Sequence, residues 1–304
     1  MSGQGNKVEV TVFTATYNRA KLLPRLFDSL LNQTYKDFEW VIVDDGSVDD
    51  THDVVDEFMR RAWFPIKYVK QENQGRHMAI NTGVREANGK LFSIIDSDDM
   101  YVPSGLADMI SAWNELPDSK KESFSGVCGL LSYESGSIVG DRFPSNPFDS
   151  DNVSLRLVNG IEGDKISLTR TDVMKAFPYP DNLGRYAVCS LVWNRIGFKY
   201  KCRFINKVIG IVEYQEGGLT DTALKMRVEN PKSMRLINRE LLESNIDLPL
   251  KQRIKCLINY ARYTMHDGLS FSQIIKAPPY GNYWIPLIIP AWFLYVRDKY
   301  RLKV

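Results

Sequence analysis

The chain has 304 residues, 44% hydrophobic and 25% charged, a length that suits about two structural units and a composition ordinary for a globular protein. That excludes a disordered chain, a collagen-like chain and a disulfide-stapled miniprotein, and a core of this size closes without metal or disulfide help. The formal charge of +2 hides an asymmetry: residues 225–304 carry 14 Lys+Arg against 6 Asp+Glu, net +8, which leaves residues 1–224 at −6.

The first hundred residues alternate. Val8 to Phe13 is rich in β-branched residues and reads as a strand. Leu22, Leu23, Leu26, Phe27, Leu30 and Leu31 then recur at helical spacing. Phe38 to Val43 is apolar apart from Glu39, as a buried strand should be, and Asp44-Asp45-Gly46-Ser47 breaks it. A helix over 51–61, a short strand from Ile66 to Val69, a helix over 77–87 ended by Asn88-Gly89, and a strand from Leu91 to Ile95 follow. Such an order means βαβ units and a parallel sheet with right-handed crossovers. Residues 117–165 read as a loop-rich segment with a few strands, 166–215 as mixed, and the chain beyond about 225 as helical up to Pro278-Pro279.

Ligands of open parallel sheets bind beyond the carboxyl ends of the strands. There the sequence puts Thr14, Thr16 and Tyr17 after the first strand, Asp44 and Asp45 after the second, and Asp96, Ser97, Asp98 and Asp99 after the last. Three carboxylates leaving one buried strand repel each other and resist desolvation. A hard divalent cation, Mg²⁺ or Mn²⁺, removes that cost and bridges carboxylates to substrate phosphates. Only three histidines occur, and no two of the four cysteines have C-x-x-C spacing, so a metal would be held by carboxylates. Arg76, just before a helix, suits an anionic diphosphate, and Tyr17 could stack on a nucleobase. There is no G-x-G-x-x-G after the first strand and no G-x-x-x-x-G-K-[ST] anywhere, so dinucleotide and P-loop readings lack their phosphate cradle.

The run TVFTATYNRAKLLPRLFDSLLNQTYKDFEWVIVDDGSVDDT, with QGRHMAINTGV and IIDSDDMYVP, resembles the opening of family 2 glycosyltransferases over residues 8–103. A second stretch, from EGDKISLTRTDVMKAFPYP through SLVWNRIGFKY to VEYQEGGLT, resembles a bacterial subgroup. The resemblance implies a GT-A fold: a Rossmann-like, mostly parallel mixed α/β sheet flanked by helices, with a C-terminal helical extension. The expected division is a catalytic domain over 1–224, with 1–103 binding the nucleotide-sugar and 104–224 the acceptor, and a basic helical region over 225–304. The resemblance further implies Mn²⁺ or Mg²⁺ as cofactor and a UDP-sugar as co-substrate. Thr14, Tyr17 and Asp45 would hold the base, with Asp44 beside them; Arg76 would meet the diphosphate; Asp96 would reach ribose or sugar; Asp98 would ligate the metal and Asp99 shape the donor pocket. Thr16 and Ser97 share these strand ends and join the donor-binding set.

One departure concerns the base that an inverting enzyme needs to deprotonate its acceptor. In the subgroup a Glu precedes the S-L-V-W segment, where this chain has Cys189. A thiol is a poor substitute, so Asp181, Asp164 and Glu162 become the candidates, and a silent nucleotide-sugar-binding module is the alternative reading. A nucleotidyltransferase would need a basic, Gly-rich loop after the first strand, and an Asp-nucleophile phosphatase would need its D-x-D there; neither is present.

The tail YGNYWIPLIIPAWFLYVRDKYRLKV is apolar throughout 283–296, with a basic flank at Arg297, Lys299, Arg301 and Lys303. Fourteen residues broken by Pro286 and Pro290 are too few to span a bilayer, and the pattern suits the plane of a membrane surface. Packing on the core, or a homo-oligomer contact, is the other reading. The opening MSGQGNKVEV has no signal-peptide pattern. The expectation is a cytoplasmic enzyme, peripheral at the inner face of the cell membrane, with a glycan or lipid-linked glycan acceptor in bacterial surface-polysaccharide synthesis and no nucleic-acid partner.

Overall fold

The computed structural model of the chain describes residues 8–184, 186–213, 219–269, 273 and 285–303. Four parallel strands come first: β1 (Val10–Thr16), β2 (Phe38–Asp44), β3 (Ile66–Lys70) and β4 (Leu91–Ile94). Helices α1 (Leu23–Leu31), α2 (Thr51–Arg61) and α3 (Arg76–Glu86) connect them. The elements expected in the first hundred residues are all present, shifted by a few residues at some ends.

Side chains of a strand alternate between its two faces, and the core divides accordingly. Val10, Val12, Trp40 and Ile42 meet Leu23, Leu26, Phe27 and Phe58 of α1 and α2 on one face. Phe13, Val41 and Val43 meet Ala79, Ile80 and Val84 of α3 on the other. The Phe27 ring stacks on Phe58 at 4.2 Å and on Trp40 at 6.3 Å. Glu39, the one charge in the apolar run, is buried but satisfied. Its carboxylate accepts from the Thr11 hydroxyl at 2.6 Å and from the Asn88 backbone N–H at 2.7 Å and side-chain amide at 2.9 Å. It thereby fixes the turn that ends α3, and a buried carboxylate with three donors carries little desolvation penalty.

The second half comprises β5 (Met100–Tyr101), α4 (Gly105–Asn114), α5 (Asp118–Lys121), β6 (Phe124–Ser132), β7 (Phe148–Ser150), a π-helical turn at Ser154–Val158, β8 (Lys165–Arg170), α6 (Thr171–Ala176), a 3-10 turn at Asp181–Leu183, α7 (Ser190–Gly197) and β9 (Lys201–Ile211). The sheet order is β3-β2-β1-β4-β8-β6-β9-β5, with β7 also on β9. Strand β8 runs antiparallel between β4 and β6, while β6 and β9 are parallel. The sheet is therefore parallel in its first half and mixed beyond. The segment read as loop-rich contains β6, nine residues and all of them buried. Its signal is diluted by Ser125, Gly126, Gly129 and Ser132, and packing demands one of these: a Cβ at Gly126 would lie 2.0 Å from the Leu168 carbonyl oxygen.

Helices α8 (Leu219–Glu229), α9 (Pro231–Glu243), α10 (Leu250–His266) and α11 (Ile288–Leu302) follow among the described residues. Ile237, Leu241, Leu248 and Cys256 enter the same core as Phe13 and Leu191, so α9 and α10 pack onto the body. Helix α8 runs through position 224, the expected domain boundary. The Pro278-Pro279 break, Trp284 and residues 214–218 of the VEYQEGGLT stretch lie outside the described residues. Among the described residues, no helix is long and apolar enough to cross a membrane.

Candidate functional site

The register of β1 and β2 sets Thr16 opposite Asp44, and the Ile95 N–H donates to the Phe13 carbonyl, so three strands end together. The loops that follow are stitched to one another. Asn18 takes a left-handed φ of 53°. Its N–H donates to Ser47 Oγ at 2.8 Å, and its side-chain oxygen accepts from the Val48 N–H at 2.9 Å. Asp49 accepts from the Ala20 N–H at 3.0 Å and from the Thr51 hydroxyl at 2.6 Å, which ties the same loops to the start of α2. Asn tolerates that backbone conformation better than most residues, so the ledge above the sheet is built by short polar side chains.

Several residues predicted for the donor are engaged within the protein. Thr14 is wholly buried and its Oγ1 accepts from Trp40 Nε1 at 3.0 Å, so its side chain braces the core. Asp44 is also wholly buried, accepting from the Ser47 N–H at 2.7 Å and the Tyr68 hydroxyl at 2.5 Å. Asp45 accepts from Gln71 Nε2 at 2.7 Å and from the N–H groups of Gln74 at 2.9 Å and Gly75 at 2.8 Å. It holds the loop that delivers α3, and Gly75, at φ 94°, makes the turn an L side chain would strain. Tyr17 is half exposed on the ledge. Thr16 Oγ1 and His77 Nε2 are buried without a hydrogen-bond partner.

The charged groups converge on the end of β4. Arg76, first residue of α3, donates from Nε at 3.1 Å and Nη2 at 2.5 Å to Asp96, and from Nη1 at 3.4 Å to Cys189 Sγ. Cys189 is exposed at the start of α7, and its carbonyl accepts from the Tyr179 hydroxyl at 3.1 Å. Arg19 Nη1 pairs with Asp98 Oδ2 at 2.7 Å and lies 3.4 Å from Ser97 Oγ, itself buried. The Asp99 carboxyl is pushed up to about 8, first by burial and then by the charges of Asp96, Asp98 and Asp164. The carboxylates thus crowd one another in a partly buried site, and a hard cation shared with phosphate oxygens relieves that kind of crowding. No group of three or more His, Cys, Asp or Glu side chains forms a metal cage among the described residues. The donor set fits a cation bound through one or two carboxylates rather than one wholly wrapped by protein.

Cys189 and the three carboxylate candidates for the base separate. Asp164 immediately precedes β8, whose antiparallel register pairs Leu168 with Ser93 and so brings it beside the end of β4, and Cys189 touches Arg76, so both border the carboxylates. Asp181 instead lines a cleft of about 1110 Å³ with Met78, Tyr179, Arg195, Tyr200 and Glu240. That cleft contains none of Asp96, Asp98 or Asp99. Glu162 is exposed, and its N–H donates to Asp141 at 2.9 Å. Arg19 and His77 escaped the sequence reading. Arg19 had a signal, a cation directly after the strand-end Tyr17-Asn18, whereas His77 looked like any residue at a helix start.

Residues 11–159 match glycosyl transferase family 2. A glycosyltransferase of Nostoc sp. is 37% identical over 106 residues, 35% of this chain and 33% of the relative. GlyA, a glycosyltransferase of Streptococcus pneumoniae, is 31% identical over 151 residues, 48% of this chain and 21% of the relative. The matched stretch thus spans a third or less of these curated relatives. Among solved structures, S. aureus TarS 1–349 in complex with UDP-GlcNAc superposes with a TM-score of 0.64 at 20% identity, over 95% of this chain and 81% of that one. A mannosyltransferase from Pyrobaculum calidifontis in complex with GDP-Man and Mn²⁺ gives 0.57 at 18% identity, over 98% and 83%. These likenesses establish the fold as GT-A-type.

Proposed function

We propose that the chain, whose residues 11–159 match glycosyl transferase family 2, moves one sugar, with inversion, from a UDP-sugar to a hydroxyl of a glycan acceptor. The acceptor is a lipid-linked glycan of bacterial surface-polysaccharide synthesis, met at the inner face of the cell membrane. One observation carries the reading: the carboxylates of Asp96, Asp98 and Asp99 and the guanidinium groups of Arg19 and Arg76 meet where β1, β2 and β4 end. Opposed charges at such an edge suit a diphosphate better than a neutral metabolite. The nucleotide-sugars bound in the TarS and Pyrobaculum structures support the donor class, and the Mn²⁺ of the latter supports a divalent metal.

In this reading Tyr17 offers a ring face to the base. Arg76, oriented by Asp96, turns its remaining N–H donors to the diphosphate. Asp98, with Asp96 beside it, would hold Mn²⁺ or Mg²⁺, which stabilises charge on the leaving diphosphate. Asp164 is the carboxylate bordering the site and takes the proton of the acceptor hydroxyl as that oxygen attacks the anomeric carbon and the bond to UDP breaks.

Calorimetry with UDP-, GDP- and dTDP-sugars in Mn²⁺ or Mg²⁺, on wild type and Asp98→Ala, tests this, with donor hydrolysis followed in the same samples. Metal-dependent binding of a UDP-sugar, lost in the variant and accompanied by turnover, is expected. Absence of nucleotide binding refutes it. A second reading, a silent binding module, is favoured by Cys189 standing against Arg76 where the subgroup carries a carboxylate; tight donor binding with no turnover on any glycan acceptor would select it.

A further inference from the structure

Among the described residues, helix α11 leaves an apolar face without a partner. Ile289, Trp292, Phe293, Val296 and Tyr300 are between 40% and 87% exposed. Their spacing puts them within an arc of about 100° on one side of an α-helix. The opposite side is fixed to the body. Ala291 and Asp298 are wholly buried, and Ile288 packs with Ala261 and Met265 of α10. Asp298 accepts from Arg262 Nε at 2.5 Å and pairs with His266 Nε2 at 3.1 Å. The helix cannot roll its apolar stripe inward without breaking that buried cluster, so the stripe is presented rather than merely uncovered.

The charges beside the stripe identify what it meets. Arg297 and Arg301 project on one side of it by helical geometry and Lys299 on the other. Residues 285–303 contain one acidic side chain, Asp298, and it is buried against Arg262. A stripe edged on both sides by cations, with no exposed carboxylate, complements a layer of phosphate headgroups over hydrocarbon. The aromatic members suit the same boundary: Trp292 meets Phe293 edge-on at 5.2 Å, and Trp and Tyr favour the headgroup level. Fifteen residues make a rod of about 22 Å, which lies along a surface rather than through it.

We infer that α11 is an in-plane anchor that seats the protein on an anionic bilayer, with Ile289, Trp292, Phe293, Val296 and Tyr300 entering the headgroup–acyl boundary and Arg297, Lys299 and Arg301 on lipid phosphates. This deepens the membrane-surface part of the proposed function and rests on it for its purpose, while its chemistry stands on α11 alone.

The test is co-sedimentation of the full chain with vesicles of phosphatidylcholine, with and without about one-third phosphatidylglycerol. Wild type is expected to bind the anionic vesicles at least tenfold more strongly than the neutral ones. Trp292→Glu with Phe293→Glu should abolish binding, and Arg297→Gln with Lys299→Gln and Arg301→Gln should weaken it tenfold or more. UDP-sugar affinity measured on each variant reports folding and the donor site separately. Should the double variant misfold, quenching of tryptophan by brominated phosphatidylglycerol, present in wild type and reduced in Trp292→Phe, serves instead. The inference is overturned if wild type does not bind anionic vesicles, if the double variant binds as well as wild type, or if light scattering shows a wild-type dimer that the double variant dissociates, which would make a second copy the occupant. Loss of donor binding with vesicle binding intact would instead count against the transferase reading.

Discussion

Replacing Arg19 by Met should make divalent cation binding tighter, not weaker. Arg19 Nη1 lies 2.7 Å from Asp98 Oδ2, with side chains 30% and 15% exposed, so a cation approaching Asp98 must first displace a guanidinium. Two unit charges about 4 Å apart attract by roughly 4 kcal/mol at an effective dielectric constant near 20. Most of that is returned when the displaced Arg19, already partly in water, is rehydrated, leaving about 1–2 kcal/mol that the cation must overcome. At about 1.4 kcal/mol per decade, Arg19→Met should lower the Mn²⁺ Kd by about 5- to 30-fold. Paramagnetic resonance of free Mn²⁺, titrated without nucleotide, reads this directly, with Asp98→Asn as the control that should remove binding. An unchanged or higher Kd in Arg19→Met would refute the reasoning and make Arg19 a partner of the phosphates rather than a competitor of the metal.

Asp164→Asn should lower donor turnover by about 10²- to 10⁴-fold, the usual worth of a positioned base, while Cys189→Ala leaves it within about threefold; steady-state hydrolysis with donor Kd from calorimetry separates the two. The Asp99 carboxyl, raised to about 8 by burial and its acidic neighbours, holds its proton more tightly in the folded chain than in the unfolded. Its contribution to stability is complete below the ordinary Asp range and is lost as pH rises through about 8, so metal-free Tm should fall across that interval and Asp99→Asn should flatten the fall. His77 and His266 shift the opposite way, both lowered chiefly by burial. Their contribution is present above the ordinary His value near 6.5 and is lost as pH falls through their depressed values; His77→Gln and His266→Gln should each reduce acid sensitivity in the same Tm series.

The parts of this protein legible from sequence are those in which one physical demand governs several residues at once. The first four strands carry core on both faces and the helices between them carry one apolar stripe, so period and run length specify them together. Strand-end placement alone singled out Asp96, Asp98 and Asp99, because carboxylates after a buried strand need a reason. Legibility failed where tertiary contact decides. Strand β6 looks like a loop because Gly126 serves its neighbour's backbone, not its own propensity. Thr14 and Asp44 stand at strand ends where a ligand would meet them, yet Trp40 and Tyr68 claim them, partners 26 and 24 residues away that no local pattern announces. Arg19 is the converse: it follows Tyr17-Asn18 in sequence, but its pairing with Asp98 spans 79 residues and joins the loop after β1 to the loop after β4. Residue type at a strand end therefore proposes a site, whereas the hydrogen-bond partners decide which of its members remain free to act on a ligand. Tyr17, Arg76, Asp96 and Asp98 reach solvent, and the charged ones pair within the site itself, so substitution there should change donor binding; Thr14, Asp44 and Asp45 are buried and held by Trp40, Tyr68 and backbone N–H groups, so substitution there should change stability.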